Sequence, residues 1–109
     1  MKVKFKNWKC NIKTGFYKNG FKAITLIDAK DGDAIAVATV NLETPKAKVT
    51  SKDHVYIKDY SENTGMVVAL KEAGVIEYDI TNQYYAQFVV INEYKLTSKC
   101  IALWKKDKN

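Results

Sequence analysis

The sequence predicts an α+β domain: a curved, mostly antiparallel sheet of about six strands with one amphipathic helix at about residues 62–73. Three observations predict it. Lys alternates with apolar residues from Lys2 to Lys13, the period-two signature of a strand with one wet face. Met66, Val67, Ala69, Leu70 and Ala73 recur at i, i+3, i+4 and i+7, the core stripe of a helix. Short apolar runs are separated by turn signals such as Asp31-Gly32. At 109 residues the chain fits a single domain, residues 1–109.

The elements follow in order. Val3 and Phe5 share one face of the first strand, but Trp8, Cys10 and Ile12 have the other parity, which predicts a bulge or bend within Lys2–Lys13. Thr14-Gly15 and Lys18-Asn19-Gly20 mark a turn, with Phe16 and Tyr17 at an exposed hairpin tip. Phe21–Ile27 carries large apolar residues on both parities and reads as a central strand. Asp31-Gly32 turns the chain into Ala34–Val40, whose Ala face predicts close packing beneath a helix. Asn41–Asp53, with Pro45, is the longest loop, and His54–Lys58 is a short strand. Ser61 or Asn63 is placed to cap the helix, and Gly74 to end it. Val75-Ile76 resumes an extended path. Tyr84–Ile91 and Tyr94–Trp104 read as closing strands around a turn at Asn92-Glu93, with Trp8, Phe21, Phe88 and Trp104 in the core.

Charge is distributed unevenly. Residues 1–27 hold seven Lys and no acid, residues 28–93 six Lys and eleven acids, and residues 94–109 five Lys and one acid, for a net +6. Two basic ends that met would attract nucleic acid, a nucleotide or an acidic protein. Every basic residue is Lys, and bidentate reading of guanine edges is mainly Arg chemistry, so a sequence-specific DNA reader is disfavoured while nonspecific phosphate attraction remains open. Cys10 and Cys100 lie far apart, and His54 is the only His, so neither a metal site nor a cofactor is expected. No apolar run approaches a membrane span, and the Lys-studded amino terminus does not resemble a signal peptide. The expected location is therefore the bacterial cytoplasm, with both cysteines as free buried thiols.

Catalytic constellations are thin. Ser61 lacks a nucleophile-elbow frame, with His54 as its only imidazole, and Asp28, Asp31 and Asp33 miss the spacing of a calcium loop. The polar run Asp59-Tyr60-Ser61-Glu62-Asn63 reads as a helix start in preference to an anion site, because its own carboxylates repel an anion. The expectation is that the chain is not an enzyme. Lys4, Lys6, Trp8, Lys9, Tyr17 and Lys22 interleave charge with aromatics, as a single-strand nucleic-acid binder would. Phe16, Tyr17, Lys18, Lys46, Lys48, Tyr84 and Tyr85 flank turns or lie in the long loop and are the residues expected to contact a protein partner.

The stretch Ile57-Lys58-Asp59-Tyr60-Ser61-Glu62-Asn63-Thr64-Gly65-Met66, after the hairpin Leu26–Leu42, resembles small uncharacterised proteins of phages, plasmids and other bacterial mobile elements. The resemblance covers about residues 24–76, and Val67-Val68 depart from its longer helix residues. It implies an accessory protein made during infection or transfer, acting in counter-defence or host takeover. The leading expectation is a non-enzymatic binding protein that occupies a host bacterial protein or sequesters a small ligand. The alternatives are a nonspecific single-stranded nucleic-acid binder and a small structural or assembly protein that forms a homo-oligomer.

Overall fold

The computed structural model describes residues 1–42 and 51–106. Its elements are β1 (Lys2–Phe5), β2 (Trp8–Phe16), β3 (Lys22–Asp28), β4 (Ala34–Val37) and β5 (His54–Tyr56), then a 3-10 turn (Ser61–Asn63) and α1 (Met66–Glu72). They are followed by β6 (Ile76–Tyr85), β7 (Val90–Leu96) and α2 (Ser98–Lys106). The α+β class holds, with seven strands and a second helix among the described residues. One antiparallel sheet has the order β1-β2-β3-β4 and the other β5-β7-β6. They join where Thr39 bridges Ile57, flanked by bonds from the Lys58 amide to the Ala38 carbonyl (2.9 Å) and from the Val40 amide to the Tyr56 carbonyl (3.0 Å).

The parity change after Phe5 is a reversal of the chain, not a bulge. Lys6 takes φ 54° and Asn7 follows, so β1 folds back on β2 with Phe5 opposite Trp8 and Val3 opposite Cys10. Val3, Phe5 and Cys10 face the core with Ile24, Leu26 and Ala38, and Met66, Ala69 and Leu70 of α1 join the same cluster. Ala36 of β4 packs against this cluster and Ala38 just beyond the strand is buried in it, whereas Ala34 opposes Ile27 and is exposed, so the three alanines do not form one face covered by the helix. Trp8 and Phe88 are not in that core: Trp8 stands at the β1–β2 turn and Phe88 in the β6–β7 turn, 91% exposed.

The closing segment differs most. β6 is ten residues long, the chain turns at Ala86–Val89, and Asn92-Glu93 lies inside β7. Tyr94–Trp104 does not continue as a strand, because Thr97 ends it. Its hydroxyl accepts a bond from the Cys100 amide (3.3 Å), the reach of an N-cap side chain to N3, and α2 begins at Ser98. Cys100 and Trp104 then face the core one turn apart, and the Trp104 indole donates to the Gly15 carbonyl of β2 (2.9 Å). Both cysteines are free and buried.

The run that carries the resemblance is the junction between the sheets and α1, and its polar residues are bound within the fold. Neither Ser61 nor Asn63 caps α1. Asp59 does so: one carboxylate oxygen accepts from the Gly65 amide (2.7 Å), the other from the Val67 amide (3.3 Å). Gly65 precedes the helix at φ 99°, a conformation costly for any residue with a Cβ. Asn63 is buried and donates its amide to the Val37 carbonyl (2.7 Å), fastening β4. Lys58 pairs with Glu62 (2.6 Å), which holds the lysine ammonium above and the carboxyl below their ordinary pKa ranges, chiefly through that hydrogen bond.

Candidate partner-binding surface

Alternation dictates the two faces of the first sheet. Directly opposed antiparallel residues share a face, so the pairs Lys2–Asn11, Lys4–Lys9, Lys13–Thr25, Gly15–Ala23 and Thr25–Val37 place all these side chains on the side away from the core. Lys2, Lys4, Lys9 and Lys13 are exposed there, and none is ion-paired among the described residues. Lys4 and Lys9 oppose each other directly, an arrangement that costs stability, and no acid shares the face with them. Glu72 lines a cleft with Lys2, Lys4, Ala69 and Ala73, and Asp28 lines another with Lys9.

Beside the lysines the face is shallow. Lys13, Thr14, Gly15, Ala23, Thr25, Ile27, Gly32 and Ala34 line a concavity of about 440 Å³, whose floor is small because Gly, Ala and Thr occupy β2 and β3 there. Val37 extends it at 49% exposure. The result is a trough with a small, mostly apolar floor and Lys13 in its lining, on the same sheet face as Lys2, Lys4 and Lys9.

The same alternation separates charge from aromatics. Lys4 and Lys9 point outward, while Trp8 pairs with Phe5 on the opposite face. Lys6 folds over the Phe5 ring and donates to the Glu62 carbonyl (2.6 Å). Lys22 is ion-paired with Asp53 (3.4 Å) and lies over the rings of Phe16 and Trp104. Tyr17 bonds through its hydroxyl to Thr39 (2.8 Å), whose oxygen also accepts the Ile24 amide (3.2 Å), so it braces β4 against β3. Of the six residues expected to contact nucleic acid, Lys4 and Lys9 share the outer face and Trp8 is exposed elsewhere.

The residues expected to contact a protein are likewise divided. Phe16 is exposed at the end of β2 and Lys18 in the following turn, whereas Lys46 and Lys48 lie outside the described residues. Tyr84 opposes Ile91 and is half-buried, while Tyr85 opposes Val90 on the other face and is 72% exposed. That second face is what residue-by-residue reading missed. Ile80 opposes Tyr94, Gln83 opposes Asn92 and Tyr85 opposes Val90, so the face that is core at Tyr94 and Leu96 continues outward past the core. Tyr78 is 74% exposed near it, with the Lys71 ammonium over both its ring and that of Tyr94. A signal was present: no charged residue occurs from Ile80 to Asn92, the longest such run in a chain that is 28% charged.

Behind this face lies a polar cluster. Thr81 donates to the buried Glu93 carboxylate (2.7 Å), and His54 Nδ1 lies 3.0 Å from the Thr81 hydroxyl and 3.4 Å from the same carboxylate oxygen. One imidazole nitrogen meets both partners, so the three side chains tie β5, β6 and β7 together and form no hydroxyl–imidazole–carboxylate chain. The aspartates of the β3–β4 turn accept local amides, Asp28 from Lys30 (2.9 Å) and Asp31 from Asp33 (3.0 Å). No group of three metal-ligating side chains occurs among the described residues, and none of their helices is long and apolar enough to cross a membrane. No family model, curated protein or solved structure matches the chain.

Proposed function

We propose that this chain is a non-enzymatic binding protein that holds an acidic segment of a host protein against the outer face of its first sheet. The observation that carries this reading is the trough: four exposed, unpaired lysines beside a small-residue floor. Phosphate attraction alone needs no apolar floor, and base stacking needs aromatics that this face lacks. An acidic amphipathic segment uses both features, its apolar side on the floor and its carboxylates toward Lys4, Lys9 and Lys13. The resemblance of residues 57–66 to mobile-element proteins supplies the setting, counter-defence or host takeover in the bacterial cytoplasm.

The test is affinity purification from bacterial lysate, with nuclease, of the native chain and of the double variant Lys4→Glu/Lys9→Glu. One stoichiometric acidic protein that survives nuclease and is lost on charge reversal supports the reading. Capture unaffected by charge reversal overturns it. The same four lysines support a second reading, nonspecific nucleic-acid binding by charge alone. Its mark is retention of heterogeneous nucleic acid whose affinity falls steeply with salt.

A further inference from the structure

We infer that two copies of this chain associate through the β6–β7 hairpin, packing the strip of Tyr78, Ile80, Tyr85 and Val90 about a two-fold axis. This surface is separate from the trough and the lysines beside it, so the inference stands or falls independently of the proposed function. The strip is the outward continuation of a core face; α1 reaches it at Tyr78, where the Lys71 ammonium lies over the ring, and beyond that point α1 and α2 turn their apolar residues to the core of the molecule. Its apolar members are among the most exposed large side chains of the protein, and Phe88 in the turn is 91% exposed. Contiguous exposed apolar surface of this kind marks an interface.

The charge pattern selects the occupant. The chain carries +6, so two copies repel wherever their lysines face each other. Ile80–Asn92 is the longest stretch in which a second +6 chain meets no charge at all. A foreign partner attracted by the net charge would dock beside lysines, away from the hairpin end between Ile80 and Asn92, which carries none. The two free edges are also treated differently. β1 carries Lys2 and Lys4 and lies beside α1, whereas β6 has its charges, Glu77 and Asp79, only near its start, and its outer edge has no strand partner among the described residues. Antiparallel crossing of two such hairpins is self-complementary, because the tip residue Phe88 of each meets Tyr78 and Ile80 of the other. Tyr78 to Tyr85 spans about 23 Å at about 3.3 Å per residue, long enough to seat the partner's turn.

Light scattering coupled to size exclusion, from micromolar to submillimolar protein and at low and high salt, tests this on the full chain. The expected result is a species of twice the 12.4 kDa chain mass that persists or strengthens as salt screens the net charge. Phe88→Asp, in an exposed turn, is expected to give a monomer with unchanged circular dichroism and melting temperature. Tyr85→Glu tests the strip by a second route, and Lys4→Glu/Lys9→Glu should leave the dimer intact. A chain that stays monomeric throughout overturns the inference. So does a dimer that survives both hairpin variants, or one that charge reversal on β1 and β2 dissolves.

Discussion

The cap on α1 gives the sharpest test of how this fold is held. Two sequence candidates, Ser61 and Asn63, make no capping bond, and Asp59 makes two, to the amides of Gly65 and Val67. α1 has only seven residues, so it contributes little stability of its own and depends on its cap and its buried Met66, Ala69 and Leu70. Asp59→Ala removes both bonds and the favourable charge at the helix start, a loss of about 1–2 kcal/mol from capping with roughly half a kcal/mol more from the dipole. For a domain of this size each kcal/mol lowers the melting temperature by roughly 4–8 °C. Asp59→Asn keeps one acceptor for Gly65 but offers Val67 an amide, and should lose about half as much. Ser61→Ala should cost little, since its hydroxyl caps nothing. Urea denaturation of the three variants, followed by circular dichroism, reads the differences directly. The assignment fails if Ser61→Ala destabilises as much as Asp59→Ala, or if Asp59→Ala falls within about 0.5 kcal/mol of the parent, the ordinary scatter of surface changes.

Two further outcomes follow from buried groups. Tyr17→Phe removes the bond to Thr39 and should cost about 1 kcal/mol, the net worth of one internal hydrogen bond, while leaving partner capture unchanged; loss of capture at unchanged stability would return Tyr17 to the contact surface. Burial pushes the Cys100 thiol from 9.0 up to about 11, so the folded state holds that proton more tightly than the unfolded state. Its contribution is fully present below about pH 9 and is lost as pH rises toward 11, by up to about 2–3 kcal/mol. Denaturation midpoints of the parent and Cys100→Ala should therefore converge across that window, and parallel profiles would refute the assignment.

The legible parts of the fold were those in which local pattern and tertiary packing agree. Met66, Ala69 and Leu70 read as a core stripe and are buried, and Asp31-Gly32 reads as a hairpin turn and is one. The β1–β2 reversal was opaque because its turn uses Lys6 at positive φ, where a Gly or Asn would have announced it. α2 was hidden by its neighbour: Tyr94 and Leu96 are strand residues, and Cys100 and Trp104 prolong the apolar spacing. The break is a single Thr97, whose capping role depends on where its hydroxyl points. Alternation along Tyr84–Ile91, read as one strand, puts Phe88 in the core, and only the β6–β7 register puts it at a turn.

The candidate surfaces were harder to read for a reason built into strands. Lys and aromatics adjacent in sequence are on opposite faces in a strand, so the mixture Lys4, Trp8, Lys9 that suggests a stacking groove in one dimension becomes a basic face and a separate apolar one in three. The protein thereby carries two surfaces of different character: lysines beside a small-residue trough on one sheet, and an aromatic hairpin end without charge from Ile80 to Asn92 on the other. Surfaces on different sheets that share no side chains should respond to substitution independently. Combining Lys4→Glu/Lys9→Glu with Phe88→Asp therefore asks one question of both. If the two sites are separate, capture of an acidic protein follows the lysines alone and chain association follows Phe88 alone. If one dimer presents two troughs to a single partner, removing Phe88 must also weaken capture, through lost avidity and with the lysines untouched.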